Sequence, residues 1–196
     1  MLARMSTASA LSRTPPPETS PSSAGEPGVA QVVVDSPIGP LLLVASEGAL
    51  THVWFDGLRH ASSDEADLPP DDAEVLGAAT VQLAEYFAGE RRAFDLPLRA
   101  RGTTFQKAVW GELVKIPWGT TTTYGAIARA LGLRLSASRA VGAANGANPI
   151  SIVVPCHRVI GADGRLTGFG GGLPRKSALL RLEGVPTERD QLVLFE

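Results

Sequence analysis

The sequence predicts an α+β protein in which a small N-terminal antiparallel sheet with one helix precedes a mostly helical C-terminal domain containing a helix-turn-helix. Three observations predict it. Short runs rich in β-branched residues alternate with turn signals between residues 30 and 55. From residue 75 onward the apolar residues recur at helical spacing. Two short helical segments, separated by a glycine stop and a short connection, follow near the middle of the second half. A chain of 196 residues that is 44% hydrophobic and 19% charged is able to bury a core of this kind. The expected organisation is a tail over 1–28, a first domain over 29–98, a second over 99–190 and a short terminal peptide over 191–196. The first 28 residues are rich in Ser, Thr, Ala and Pro, with few large apolar side chains beyond Leu2 and Leu11. That composition predicts a flexible tail.

The sheet is read from AQVVVD, LLLVAS and LTHVWF, punctuated by Ser36-Pro37-Ile38-Gly39-Pro40 and by Glu47-Gly48-Ala49. A three-stranded meander follows. Residues 61–72 are polar and acidic, with Pro69 and Pro70 near the end, and predict a surface loop. After it, Val75, Leu76, Ala79, Leu83, Tyr86 and Phe87 mark an amphipathic helix.

In the second half, Thr103 or Thr104 is placed to cap a helix whose apolar stripe is Phe105, Val109, Trp110 and Leu113, ended by Pro117-Trp118-Gly119. Tyr124 to Leu131 forms the next helix and Gly132 closes it; Ser136 is placed to cap another from Ala137 to about Ala147. This pair is the helix-turn-helix. Its second helix carries Ala, Gly and Ser around Arg139, so it either packs closely on a neighbour or enters a narrow groove. Pro174 opens a last helix with Leu179, Leu180 and Leu182 on its apolar face, and Gly184 stops it. Arg175 and Lys176 at its positive end and Glu183 at its negative end oppose the helix dipole. A local rule broken at both ends predicts that these charges serve another purpose.

Charge is divided unevenly. Residues 1–100 carry 6 basic and 14 acidic side chains, residues 101–196 carry 12 and 6. Between Leu113 and Ala162 there is no Asp or Glu, whereas Lys115, Arg129, Arg134, Arg139 and Arg158 lie there. The second half is therefore the half suited to a polyanion, although a solvated face would have the same composition. No apolar stretch has the length of a secretory signal or a membrane span, which predicts a cytoplasmic protein. One cysteine cannot form an internal disulfide, and His52, His60 and His157 are not clustered as zinc ligands are. The thiol is either packing or a reagent.

The run from Asn148 to Ile160 delivers Cys156, His157 and Arg158 in succession behind Ile150-Ser151-Ile152-Val153-Val154-Pro155. An imidazole near a thiol favours the reactive thiolate. Neighbours in sequence need not touch, however, and a lone cysteine after an apolar run is also a common buried hydrophobe.

The passage TTTYGAIARALGLRLSASRAVGAANGANPISIVVPCHRVIGADGRLTGFGGGLPRKSALLRLEG resembles the active-site domain of the O6-alkylguanine-DNA alkyltransferases, also called methylated-DNA-protein-cysteine methyltransferases. The resemblance extends through EYFAGERRAFDLPLRARGTTFQKAVWGELVKIPWG and, more loosely, SPIGPLLLVASEGALTHVWFDG. It implies that Cys156 accepts an alkyl group from O6 of guanine, irreversibly and once, with O4-alkylthymine a further candidate substrate. It makes His157 the base, oriented by Glu183 and reaching the thiol through water. Asn148 would stabilise the segment around the cysteine, Pro155 hold its approach, and Tyr124 hydrogen-bond the flipped base and assist guanine as leaving group. Arg139 would fill the gap left in the stack. The backbone of Cys156 and Val159 would recognise the exocyclic amine, and the N–H of Gly170 would face O6. The helix-turn-helix would lie in the minor groove of duplex DNA, where Ala137, Ser138, Ala140, Ala143 and Ala144 offer small side chains. Arg158, Arg134, Arg175 and Lys176 are candidate DNA contacts.

The chemistry is consistent with these roles. An O6-alkyl group is buried in the base pair, so the base must leave the stack. Displacement at its carbon needs an ionised soft nucleophile and a proton or hydrogen bond for the departing oxygen. No metal or organic cofactor is needed, and a monomer suffices. Leu135 stands near where the family often has proline, and Gly170 where some members have serine. Three other readings remain open: a lesion sensor that does not transfer, a thiol hydrolase using Cys156, His157 and Asn148, and a DNA-binding regulator with an inert cysteine. Finally, Gln191, Leu192, Leu194 and Phe195 resemble the peptide by which bacterial replication and repair proteins dock on the sliding clamp; a terminal strand packing its own apolar residues would read the same way.

Overall fold

The computed structural model describes residues 30–55 and 68–186. The tail over 1–28, part of the acidic stretch, and the peptide containing Gln191, Leu192, Leu194 and Phe195 lie outside those residues. Strands β1 (Ala30–Val34), β2 (Leu41–Ser46) and β3 (Ala49–Phe55) form the expected antiparallel meander in the order β1-β2-β3. Glu47 and Gly48 both have positive φ, 54° and 68°, as a two-residue hairpin loop between right-twisted strands requires. The register pairs Ser46 with Ala49 and shifts at Val44/Ala45.

Helix α1 (Pro70–Phe87) lies against this sheet and buries Val75, Leu76, Ala79, Leu83 and Tyr86. It corrects the expected loop over 61–72, because the helix already begins at Pro70. A proline in the first turn gives up no needed N–H, and Asp71 and Asp72 there suit the positive end of the dipole. Asp72 is also buried and accepts a hydrogen bond from the Gly48 N–H at 2.7 Å, which ties the helix start to the hairpin. What read as loop acidity is partly a helix terminus docked on a turn.

The free edge of β3 is covered by two later segments. Leu50 N–H donates to Pro97 O and Arg99 N–H to Leu50 O, while Val53 N–H donates to Pro149 O at 2.9 Å. The chain leading to Cys156 is thus anchored on the N-terminal sheet. Helix α2 (Thr104–Val114) starts with a complete capping box between Thr103 and Gln106. Its buried stripe is Val109, Trp110 and Leu113; Phe105, expected among them, is 37% exposed.

The helix-turn-helix is α3 (Tyr124–Ala130) and α4 (Ser138–Gly146). Ser136 does not cap as expected. A 3-10 turn over Leu135–Ala137 intervenes, closed by Ala137 N–H to Arg134 O, and the Ser138 hydroxyl donates back to Leu135 O at 2.6 Å. Trp110 Nε1–H donates to Ala144 O at 2.8 Å and fixes α4 on α2. A two-stranded parallel pair, β4 (Thr122–Thr123) with β5 (Val159–Ile160), joins the start of α3 to the residues just after the cysteine. Helix α5 (Leu173–Leu182) has Pro174 in its first turn, and Gly184 ends it at φ 77°. Among the described residues no helix is long and apolar enough to cross a membrane.

Candidate active site

Cys156 is 4% exposed and opens a 3-10 turn over Cys156–Arg158. The segment before it is a tight, buried turn in which Val153 N–H donates to Ser151 O and Val154 N–H to Ile150 O. Ile152 sits there at φ 73°, a left-handed conformation that a β-branched residue adopts only under constraint, at about 1–3 kcal/mol. Asn148 supplies the constraint. Its Nδ2 donates to Val154 O at 2.8 Å, and its Oδ1 accepts from Ile150 N–H at 3.1 Å. Asn148 and Ser151 also hydrogen-bond the sulfur. Burial pushes the Cys156 thiol up, and those two side chains with the Lys176 charge oppose it. The adjacent imidazole does not ionise the thiol in this state, contrary to the simplest reading of a Cys-His pair.

His157 turns the other way. It is fully buried, and its Nε2 lies 2.8 Å from Glu183 Oε1. Burial lowers the His157 pKa, while the Glu183 hydrogen bond and charge raise it and the charges of Arg158 and Lys176 lower it further. Burial alone would raise Glu183, but hydrogen bonds from His157 and Arg158 hold it at about 2. A carboxylate beside a neutral imidazole fixes the tautomer: Nε2 carries the hydrogen and donates, and Nδ1 keeps the lone pair. Nδ1 has no hydrogen-bond partner among the described residues, so it is the basic atom of the site.

Glu183 and Lys176 are the two charges that opposed the α5 dipole, and the structure explains both. Glu183 anchors the imidazole. Lys176 is fully buried, its Nζ donating to Val159 O at 2.5 Å and Thr167 O at 2.7 Å. Burial depresses its pKa to about 8, opposed by the Cys156 charge. An ammonium held this way favours thiolate nearby. Lys176→Met should therefore raise the pH midpoint for iodoacetamide alkylation of Cys156 by about one unit. With a single cysteine in the chain the signal has one source, and an unmoved midpoint would show that the sulfur does not feel the lysine.

Other expected contacts divide between surface and core. Arg139, Ala140 and Ala143 are exposed on α4, and Ala137 and Ser138 are half-buried at its start. Ala144 faces the core instead, beneath Trp110. Tyr124 is half-buried at the start of α3, its hydroxyl 3.4 Å from Thr167 O. Gly170 is exposed and lines a cleft of about 440 Å³ together with Asn148, Ser151, His52, Trp54 and Phe55. Val159 O, expected to meet a base amine, already accepts from Lys176.

Two expected DNA contacts, Arg158 and Lys176, are corrected outright. Arg158 is buried, its Nε donating to Glu183 Oε2 at 2.8 Å, its Nη2 to Oε1 at 2.9 Å and its Nη1 to Ile116 O. The buried carboxylate claims this guanidinium. Lys176 is likewise claimed by two carbonyls, and Arg175 is half-buried, donating to Ile38 O and lying 5.3 Å over the Phe55 ring. Sequence reasoning missed the inward use of Lys176 and Arg158. The signal for both was present in the broken dipole rule and in Arg158 following an apolar run.

This geometry can be set beside known proteins. Residues 30–100 match the model of the 6-O-methylguanine DNA methyltransferase ribonuclease-like domain, and residues 104–185 match that of the DNA binding domain of the same family. A methylated-DNA--protein-cysteine methyltransferase of Methanosarcina acetivorans is 50% identical over 153 residues, 78% of this chain and 96% of that protein. Its namesake from Mycobacterium tuberculosis H37Rv is 50% identical over 163 residues, 83% and 96% of the two chains. The crystal structure of Mycobacterium tuberculosis OGT in complex with DNA superposes with a TM-score of 0.69 at 48% identity, covering 85% of this chain and 99% of that one. With both halves matched, and with identity sustained along nearly the whole of each relative, the chain belongs to the O6-methylguanine DNA methyltransferase family.

Proposed function

We propose that the protein repairs O6-alkylguanine in duplex DNA by transferring the alkyl group to Cys156, once per molecule. The observation that carries this reading is the polar cluster behind one buried thiol: Asn148 and Ser151 on the sulfur, and a neutral His157 oriented by Glu183 with its Nδ1 lone pair unused. His157 Nδ1 takes the thiol proton through water, and the thiolate attacks the alkyl carbon in line. The S–C bond forms as the C–O6 bond breaks, leaving its electron pair on guanine. The Tyr124 hydroxyl hydrogen-bonds guanine as it leaves, and the proton that sulfur gave to His157 is released to water as water protonates the departing base, so protons balance. The product thioether is stable to water, so each molecule acts once.

Exposed Arg139, small Ala140 and Ala143, and the positive end of α4 in a stretch free of acidic residues support docking of this helix against the minor groove. Arg139 would occupy the space of the extruded base, whose unstacking takes a few kcal/mol. Arg139→Ala should slow transfer from a duplex by about tenfold or more, and transfer from a single strand much less. Equal slowing on both substrates would remove this role. The reading as a whole is tested by intact-protein mass spectrometry after mixing with a duplex holding one O6-methylguanine. One methyl group per protein, mapped to the peptide bearing Cys156, is expected; tight lesion binding with no mass gain would make the protein a sensor instead.

A further inference from the structure

Glu183 has a fourth hydrogen bond, and it comes from the other half of the chain. Tyr86, in the last turn of α1, is 0% exposed and donates its hydroxyl to Glu183 Oε1 at 2.8 Å. Its ring is locked edge-on by Phe87 at 5.3 Å and Trp118 at 5.2 Å, and tilted against Phe94 at 5.4 Å. Among the described residues, Oε1 therefore receives Tyr86, His157 Nε2 and Arg158 Nη2, while Oε2 receives Arg158 Nε. Three donors share an oxygen with two in-plane lone pairs, so the tyrosine competes directly with the imidazole. Burial and the Glu183 charge raise the Tyr86 pKa, so the hydroxyl remains a donor across the working pH range.

We infer that Tyr86 is a positioning residue for alkyl transfer: its hydroxyl fixes the Glu183 carboxylate that orients His157, which makes α1 part of the catalytic apparatus. The packing explains why a hydroxyl from α1 can do this. The ring is held on three sides, so the oxygen has little freedom to follow a moving carboxylate. Arg158 holds the carboxylate from one edge, and Tyr86 blocks rotation about the remaining direction. The inference rests on the transfer reading above.

Tyr86→Phe in the full chain removes one oxygen and keeps the ring. Single-turnover methyl transfer from an O6-methylguanine duplex would be followed by intact mass from pH 5 to 9, with lesion-duplex affinity measured alongside. The groups facing His157 are Glu183, Arg158 and Lys176, with Tyr86 acting through Glu183. Without the competing donor more of the Oε1 charge is left for His157, so the acid limb of the rate profile should move to higher pH by several tenths of a unit. The rate at neutral pH should fall about tenfold, the size of one lost hydrogen bond to a charged group, with affinity within about twofold. Adding Tyr86→Phe to a His157→Gln chain should then change the rate little. A rate within about twofold of wild type would overturn the inference. So would a slower enzyme whose acid limb has not moved, since that is what loosened packing alone produces. Wild-type protein that took up no methyl would remove the transfer reading itself, and this inference with it.

Discussion

Cys156→Ser is expected to take up no detectable methyl from an O6-methylguanine duplex while keeping its fold and its affinity for the lesion. The change swaps one atom, so the reason lies in ionisation and not in packing. Burial already raises the thiol, and it is opposed by the Asn148 hydrogen bond, the Lys176 charge, a backbone hydrogen bond at Cys156 and the Ser151 hydrogen bond. A hydroxyl starts far higher than a thiol, and the same influences leave it un-ionised at neutral pH. The neutral His157, with a pKa lowered by burial, is too weak a base to make up the difference. Oxygen is also the harder, less polarisable nucleophile at an alkyl carbon. Structure is preserved, because the backbone around residue 156 is held by groups that survive: Cys156 N–H to Val154 O at 2.8 Å and Asn148 on Val154 and Ile150. Intact mass and a duplex-binding titration on the same sample check both halves. Methylated serine would refute the thiolate mechanism, and lost binding with lost transfer would show that Cys156 shapes the lesion pocket as well.

The elements themselves were legible in the sequence wherever one local signal decided them. The three strands, the Thr103 cap, the Gly132 and Gly184 stops and Pro174 at the start of α5 lie where alternation, capping and glycine chemistry put them. The errors occurred where a tertiary contact outweighs a local preference. Asp72 reads as loop polarity until the Gly48 N–H is seen to need it. The apolar run before Arg158 and the broken dipole rule at Lys176 hint at an inward use, but no local signal identifies their partners, a buried carboxylate 25 residues on and a carbonyl 17 residues back. Tyr86 reads as an ordinary core aromatic on α1. Its hydroxyl acquires meaning only when a helix 97 residues later delivers Glu183 against it. The cysteine segment is an intermediate case. The apolar run predicts burial, but the strained Ile152 turn and the Asn148 clamp that holds it depend on long-range docking of Pro149 on Val53.

Glu183→Gln should be the most damaging substitution that leaves the nucleophile untouched. Glutamine fills the same space, but it presents one oxygen where the carboxylate presents two. Tyr86, His157 and both Arg158 nitrogens all donate to Glu183, so at least one donor must face the new NH2 group. Arg158 becomes a buried cation without its counter-ion. Breaking a buried pair in this way destabilises by about 3–5 kcal/mol, which for a chain of this size lowers the melting temperature by about 10 °C. Transfer should fall about a hundredfold or more, since His157 loses the acceptor that fixes its tautomer. The acid stability of the two proteins separates the causes. Glu183 is held at about 2, below the ordinary carboxyl near 4.5, so in wild type the unfolded chain binds the extra proton between those values. Its contribution is fully present above about 4.5 and is lost as pH falls towards 2. The glutamine variant has no such group and should lose less stability across that window than wild type, from a lower starting point. His157 adds a second window with the same sign, because its lowered pKa makes the folded state resist a proton that the unfolded chain takes up near 6.5. If denaturant melts of the two proteins instead run parallel from pH 5 to 2.5, the carboxylate is not held as the structure has it, and the orientation of His157 must come from elsewhere.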